Sequence, residues 1–213
     1  MKIDNDIKLD FNDVLFRPKR STLSSRSEVN LEREFVFKYS KRKWSGVPII
    51  SSNMDTVSSI DMFKKLSEYK CITCFHKYID VNDIVDACNE GFDPQYFMLS
   101  TGITDADFER LKMYYNTLEK NNIDLHFICI DVANGYMFRL LEFCRKVRSE
   151  FPNVTLVAGN VVTREVVEEL IISGEIDIIK VGIGSGAVCT TRLQTGVGVP
   201  QFSAVMECSD AAH

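Results

Sequence analysis

The sequence predicts an α/β fold in which parallel strands alternate with helices. Beyond about residue 45, six short apolar runs recur, none of them alternates polar with apolar residues, and helical apolar stripes separate them. Continuous apolar runs are typical of parallel strands that are buried on both faces. The predicted strands are VPII at 47–50, CITCF at 71–75, YFML at 96–99, FICI at 127–130, VTLVA at 154–158 and IDIIKV at 176–181.

The segments between these runs have the residue spacing of helices. Apolar residues recur every three or four positions over 108–118 and again over 137–147, after which Pro152 prevents the second helix from continuing. In the segment TREVVEELIISG, Thr163 is expected to cap the amino end of a third helix and Gly174 its carboxyl end.

Repeated strand–helix units leave two architectures open, a doubly wound sheet and a (β/α)8 barrel. A complete barrel needs eight units and about 250 residues, whereas the 213 residues supply six strands. No linker or low-complexity segment divides the chain. We therefore predict one domain over residues 1–213, which is either an open α/β sheet or a barrel that is incomplete at its C-terminal end, with about six of the eight units.

Composition narrows the possible partners and the location. The net charge is −5 and the isoelectric point about 5.3, which argues against a nucleic-acid groove. The basic groups RPKR at 17–20 and KYSKRK at 38–43 are interpreted as loop surface. No apolar run approaches the ~20 residues of a membrane span, and the polar start of the chain does not resemble a secretory signal. Seven scattered cysteines then indicate reduced thiols and a cytoplasmic location.

In both architectures, functional residues lie where the parallel strands end. Polar side chains follow each of the first five predicted strands, and a glycine-rich loop follows the sixth. Because the carboxyl ends of parallel strands share one edge, we expect these side chains to converge there. They are Asn53, Asp55, His76, Lys77, Ser100, Thr101, Asp131, Asn134 and Asn160.

The glycine-rich loop VGIGSGAVCTTRLQTGVGVPQ at 181–201 places one cysteine, Cys189, among five glycines. Glycines let the backbone approach a ligand closely, and basic and hydroxyl neighbours favour the thiolate, which is the nucleophilic form. Cys189 is therefore a candidate nucleophile, and a buried, inert cysteine is the alternative. The spacing of Gly182, Gly184 and Gly186 is not that of a dinucleotide-binding fingerprint.

Two other patterns are weaker candidates. Cys71 and Cys74 have the spacing of a redox pair, but they lie within a predicted strand, where their side chains would face opposite ways. The three histidines are too few and too scattered for a zinc site, and His126 is interpreted as structural.

The loop GIGSGAVCTTRLQTGVGVPQFSAVMEC closely resembles the catalytic loop of the GMP reductase family. The segments KLDFNDVLFRPKRSTLSSRSEV, SNMDTV, FHKY, CIDVANGY and LVAGNVVT resemble other parts of that family, so the likeness extends along the whole chain. It implies a (β/α)8 barrel, a homotetramer, an NADPH cofactor and the reductive deamination of GMP to IMP and ammonia.

The resemblance also implies roles for individual residues. Cys189 would attack C2 of the purine to form a thioimidate, and Thr191 would help to move a proton to the departing ammonia. A third position, Ser185, stands where proline is common in the family, which predicts a looser loop. The positions matching cofactor contacts are Ser25, Arg26, Lys77, Asp131, Val132, Ala133, Ile183 and Gly184. The positions matching a monovalent-cation (K+) site are Gly184, Gly186, Cys189 and Arg192.

Two alternatives to a GMP reductase stay open. IMP dehydrogenases share the barrel and the loop, but they generally carry an inserted regulatory domain, whereas here FHKYIDVNDIVDAC passes directly into a helix. Their loop also usually reads Cys-Ile-Thr-Gln, where this chain has Cys-Thr-Thr-Arg. The other alternative is a non-catalytic chain that associates with full-length subunits. The family continues through two further strands that bind the phosphate of GMP, so we expect these 213 residues to be inactive alone.

Overall fold

The computed structural model describes residues 5–213, so the first four residues of the predicted domain lie outside the described part. Two sheets are present, an antiparallel pair near the amino end and a six-stranded parallel sheet. The antiparallel strands are β1 (Arg33–Val36) and β2 (Lys43–Gly46). The parallel strands are β3 (Ile50–Ser51), β4 (Ile72–Phe75), β5 (Phe97–Thr101), β6 (Phe127–Asp131), β7 (Thr155–Val161) and β8 (Ile178–Val181).

A helix follows each of the first five parallel strands, and two helices follow the sixth. The longest begins at a capping box, in which the Thr104 hydroxyl and the Asp107 carboxylate each accept a hydrogen bond from the other residue's backbone N–H. The helices are α1 (Ile60–Glu68), α2 (Val81–Asn89), α3 (Asp105–Lys120), α4 (Phe138–Glu150), α5 (Arg164–Gly174), α6 (Thr190–Thr195) and α7 (Gln201–Ala212).

The order of the parallel strands decides between the two predicted architectures. They pair as β3-β4-β5-β6-β7-β8, which is the order of the chain. A doubly wound sheet reverses its strand order at a switch point, whereas a barrel wall adds each strand beside the last. The open-sheet alternative is therefore wrong. The fold is a partial (β/α)8 barrel with six of the eight strands, and within residues 5–213 its edge strands β3 and β8 are not paired with each other.

The antiparallel pair was not predicted, because its sequence is charged and the KYSKRK segment was interpreted entirely as loop surface. In the structure, β2 begins at the last lysine of that segment, and β1 and β2 close the amino end of the barrel. Trp44 is buried, and its ring meets those of Phe127 and Tyr96 edge-on at 6.3 Å between centroids. Phe37 also contacts Phe127, at 5.6 Å. These aromatic contacts hold the pair against the interior of the barrel.

A buried ion pair fixes the same end of the barrel. Arg148 and Asp177 have side chains that are 8% and 0% exposed, and Arg148 Nη2 lies 2.7 Å from Asp177 Oδ2. The Asp177 carboxylate also accepts the backbone N–H groups of Tyr39 at 2.8 Å and Leu156 at 3.1 Å. Arg148 donates further hydrogen bonds to backbone carbonyls, among them that of Val154 at 2.8 Å. One carboxylate therefore joins the turn between β1 and β2, helix α4 and strand β7.

The ends of two helices differ from the prediction. The left-handed residue that ends α5 is Glu175, with φ of 52°, and not Gly174. Two hydrogen bonds from Arg148 to the Glu175 carbonyl hold that residue in place, and Gly174 is the last residue of the helix itself. Thr163 does occupy the N-cap position, but its hydroxyl accepts a hydrogen bond from Tyr136 rather than from the helix. Met137 precedes α4 and is exposed, so the buried stripe begins beyond it.

Candidate active site at the carboxyl ends of the strands

A polar cleft of about 350 Å3 lies at the carboxyl ends of β3, β4, β5 and β6. It brings together most of the polar residues that the sequence placed after these strands. Asn134 lies elsewhere, in a second cavity. Asn160 lines neither cavity, and its buried Oδ1 has no hydrogen-bond partner. The cleft is lined by Asn53, Met54, Asp55, His76, Lys77, Tyr78, Ser100, Thr101, Gly102 and Asp131.

The second cavity, of about 530 Å3, lies beside the cysteine loop and is mostly apolar. Besides Asn134, it contains three residues with predicted cofactor or catalytic roles, which are Ala133 and Ile183 just beyond the ends of β6 and β8, and Thr191 from α6. Lys77 and Asp131 line the first cleft instead. The remaining lining residues of the second cavity are Tyr136, Val162, Thr163, Thr195, Val197, Gly198 and Val199.

Ser25 and Arg26 line neither cavity. They form an exposed single turn at Arg26–Glu28, where the Ser25 hydroxyl contacts that of Ser27 at 2.8 Å. Val132 and Gly184 also line neither cavity, although their chain neighbours Ala133 and Ile183 line the second. The structure therefore brings the predicted cofactor residues into two groups at the barrel mouth and leaves this amino-terminal pair apart.

Lys180 is a further residue of the site, outside the set that the sequence predicts. Its Nζ lies 2.5 Å from Asp131 Oδ1 and 3.0 Å from Asn53 Oδ1, and Asn53 Nδ2 donates to Asp131 Oδ2 at 2.8 Å. Burial alone would lower the pKa of the Lys180 ammonium, but the thiols of Cys129 and Cys74 and the hydrogen-bonded Asp131 carboxylate raise it above its ordinary value. The available signal was a single lysine in the apolar strand IDIIKV.

Lys77 is held beside the first cleft by Asp107, whose side chain is 5% exposed. Lys77 Nζ lies 3.2 Å from Asp107 Oδ1, and Arg110 Nη1 lies 3.1 Å from the same oxygen. Burial would raise the pKa of Asp107, but hydrogen bonds from Thr104 and Lys77 outweigh it and hold the pKa below its ordinary value. This buried carboxylate thus fixes the lysine at the cleft.

We expect Asp107→Asn to lower the free energy of unfolding by about 2 kcal/mol near neutral pH, because Lys77 and Arg110 lose their shared charged acceptor. The folded-state pKa of Asp107 is lowered, so its stabilisation is present above the unfolded pKa of about 3.9 and is lost as the pH falls through the folded value. The deficit of the variant, measured by urea unfolding, should therefore shrink below about pH 4.

Asp105→Asn is the matched control for this prediction. Asp105 lies in the same first turn of α3 and pairs with Lys146, but its side chain is 88% exposed, so we expect a change within about 0.5 kcal/mol. An equal loss in both variants, or an Asp107→Asn deficit that persists in acid, would show that the buried carboxylate is not the cause.

Cys189 occupies the N-cap position of α6 and is half-buried. The backbone N–H groups of Arg192 and Thr191 and the Thr191 hydroxyl, all in the first turn of α6, favour the thiolate. They lower the pKa of Cys189 below its ordinary value despite partial burial. The arrangement favours a thiolate beside the apolar cavity that Thr191 lines, and it disfavours the alternative of an inert cysteine.

The rest of the loop is held by Gln201, at the start of α7. Gln201 Nε2 donates to the Val181 carbonyl at 3.0 Å, and Ser185 Oγ donates to Gln201 Oε1 at 2.6 Å. A Cβ at Gly182, which has φ of 136°, would lie 2.7 Å from Gln201 Oε1, so only glycine suits this position. Where the sequence predicted a looser loop at Ser185, the structure provides a hydrogen-bonded anchor.

The donors proposed for a monovalent cation are of a suitable kind. Within residues 5–213, no group of three or more His, Cys, Asp or Glu side chains is arranged to hold a metal ion. The oxygens that the resemblance implies as cation ligands are backbone carbonyls. The carbonyls of Gly186 and Arg192 each accept one backbone N–H, from Cys189 and Gly196 respectively, at 3.0 Å. Each oxygen keeps a second lone pair that could bind a cation.

The other cysteine pattern does not form a pair. Cys71 precedes β4, and Cys74 instead faces Cys129 across an interior cavity of about 220 Å3. All seven cysteines are free. Cys71 and Cys74 are therefore not joined as a disulfide.

No helix in residues 5–213 combines the length and the apolar character that crossing a membrane requires.

Comparison with known proteins shows the family of this chain. The domain described as "IMP dehydrogenase / GMP reductase domain" matches residues 8–213. Proteins named GMP reductase from Photobacterium profundum and Vibrio parahaemolyticus are 54% and 53% identical to the whole chain, which spans 60% of their length. The crystal structure of inosine 5' monophosphate dehydrogenase from Legionella pneumophila superposes on 97% of the chain with a TM-score of 0.78 and 28% identity, over 60% of that protein. The chain therefore belongs to the IMP dehydrogenase/GMP reductase family.

Proposed function

We propose that the protein catalyses the NADPH-dependent reductive deamination of GMP to IMP and ammonia, with Cys189 as the nucleophile. The observation that carries this proposal is the Cys189 thiol, whose pKa is lowered by the first turn of α6 and which lies beside a cavity lined by Thr191. Relatives named GMP reductase that are more than half identical to the chain support the substrate.

In this mechanism the Cys189 thiolate forms a bond to C2 of the purine, and the amino group leaves as ammonia, giving a thioimidate on Cys189. The Thr191 hydroxyl is one of the groups that lower the pKa of Cys189, and Thr191 lines the second cavity, so we expect it to move a proton to the leaving amine. When bound, NADPH supplies the hydride that replaces the amino group at C2. Release of the thiolate then regenerates Cys189.

The residues that would hold the cofactor lie at the mouth of the barrel. Lys77 and Asp131 offer a cation and an acceptor in the polar cleft, and Ala133 and Ile183 offer an apolar wall in the second cavity. We assign Val132 and Gly184 to the same surface and the exposed Ser25 and Arg26 to the distal phosphates. The K+ site would use Gly184, Gly186, Cys189 and Arg192, and we further propose a cytoplasmic homotetramer.

An IMP dehydrogenase without a regulatory insert is the second candidate, since the Legionella pneumophila structure carries that name. Only residues 76–80 separate β4 from α2, so no inserted domain is present at that point. The third reading is a non-catalytic chain that associates with full-length subunits. The loss of NADPH with GMP, or the formation of NADH with IMP, separates the two enzymes. The absence of both reactions would favour the non-catalytic chain.

The proposal is tested by following NADPH absorbance with GMP, using the protein at its natural length. We expect Cys189→Ala to lower kcat by at least about ten-thousandfold, as for other nucleophiles, and Thr191→Val to lower it by about a hundredfold. Cys208→Ala is the control, because Cys208 is buried and its pKa is raised to about 11 by burial. Activity that survives in Cys189→Ala would refute the proposal. The 213-residue chain alone is expected to show no sustained turnover.

A further inference from the structure

A hydrogen-bonded bridge crosses the open mouth of the barrel. Lys180 lies on the edge strand β8, Asn53 lies two residues beyond the other edge strand β3, and Asp131 ends β6. Within residues 5–213 the two edge strands are not paired with each other. The three side chains therefore join parts of the mouth that no backbone hydrogen bond connects.

This bridge engages both oxygens of the Asp131 carboxylate. Oδ1 accepts from Lys180 Nζ at 2.5 Å, and Oδ2 accepts from Asn53 Nδ2 at 2.8 Å. A carboxylate held through both oxygens cannot rotate freely, whereas each oxygen still keeps lone pairs for another donor. Asp131 lines the polar cleft, so these lone pairs are available to a ligand in it.

Lys180 itself does not line that cleft. It lines the deeper interior cavity of about 220 Å3, together with Cys74 and Cys129, and Asn53 is common to both spaces. Because Asp131 separates the ammonium from the cleft, Lys180 acts on a ligand there through Asp131. The ammonium also supplies the positive charge that offsets the partly buried carboxylate.

We infer that Lys180 is a positioning residue, which sets the orientation of the Asp131 carboxylate for the nicotinamide cofactor. This inference rests on the proposed function, in which Asp131 contacts NADPH. Without Lys180, Asp131 keeps only the neutral amide of Asn53 as a partner, and its acceptor geometry is no longer fixed from two sides.

The test compares KM values for NADPH and GMP in Lys180→Met, Lys180→Arg and the parent protein at its natural length. Methionine keeps the volume of the side chain and removes its charge. We expect Lys180→Met to raise the KM for NADPH by about tenfold, the effect of one charge-assisted hydrogen bond, and to leave the KM for GMP within about twofold. Lys180→Arg should recover most of the loss, because a guanidinium can donate to both partners.

Lys112→Met is the matched control, since Lys112 is also about one-third exposed and pairs with a single carboxylate, that of Glu109. We expect its KM values to equal those of the parent. The proposed function, and the inference with it, would be refuted if the parent protein does not oxidise NADPH with GMP and its fluorescence is not quenched by added NADPH. If the parent is active, the inference alone would be refuted by either of two results for Lys180→Met. The KM for NADPH would be unchanged, or the KM values for NADPH and GMP would rise equally.

Discussion

Arg148→Met is expected to lower the free energy of unfolding by about 3 to 5 kcal/mol, because it leaves the fully buried Asp177 carboxylate without its counter-ion. The side chain of Asp177 would still accept backbone N–H groups from Tyr39 and Leu156, but these neutral donors do not cancel its charge. Urea unfolding near neutral pH, followed by circular dichroism, measures the change.

Arg145→Met is the matched control for this prediction. Arg145 lies one turn earlier on the same helix and donates to the Ser173 carbonyl at 2.7 Å, but it is exposed. We expect a loss below about 1 kcal/mol there. The fluorescence of Trp44, the single tryptophan of the chain, gives a second readout, because the strand pair that carries it is tied to Asp177. Equal losses in both variants and unchanged Trp44 emission would refute the assigned role of the ion pair.

Alkylation by iodoacetamide is expected to select Cys189 from the seven cysteines. Backbone N–H groups and the Thr191 hydroxyl in the first turn of α6 lower its pKa, whereas burial raises the pKa of Cys88 to about 11 and that of Cys144 to about 12. The thiolate is the reacting form, so a pKa difference of about two units predicts at least about a hundredfold faster labelling near neutral pH. Peptide mass mapping over time measures the rate at each cysteine.

The dependence of labelling on pH and on one neighbour gives the prediction its controls. The Cys189 rate should rise with pH and level off once the pH passes the lowered pKa, while labelling of Cys88 continues to rise. Thr191→Val removes the hydroxyl that helps to lower the pKa of Cys189 and should slow the labelling of Cys189 without affecting Cys88. Preferential labelling of Cys88, which is also half-buried, would contradict the proposed activation.

Most of the barrel wall could be predicted from the sequence, because strands β4 to β7 are buried on both faces and their apolar runs are continuous. The predicted run at 127–130 lies within β6, and all but the first residue of the run at 154–158 lie in β7. The prediction of the first strand is less accurate, since the predicted run VPII at 47–50 shares only Ile50 with the two-residue strand β3 at Ile50–Ser51. As an edge strand, β3 pairs with β4 alone and only over those two residues.

The parts that the sequence did not reveal depend on long-range contacts. Lys180 and Asn53 are separated by 127 positions, so no local pattern indicates that they share a carboxylate. The antiparallel strands β1 and β2 lie in a charged segment, and their partners Phe127 and Asp177 lie far along the chain. Conversely, Cys189 could be identified, because its signal, a cysteine in a glycine-rich loop after a buried strand, is local.

The closure of the barrel by β1 and β2 has a consequence for the order of folding. The turn between them is bound by Asp177, which lies 138 positions later in the chain than Tyr39. Contacts at such separation form only after much intervening chain has been ordered. During synthesis, the strand pair therefore emerges first but is completed only after β7 and β8 are available. Until then the rings of Phe37 and Trp44 have no barrel interior to pack against. Strands β1 and β2 are therefore synthesised before the parallel strands but are packed in place after them.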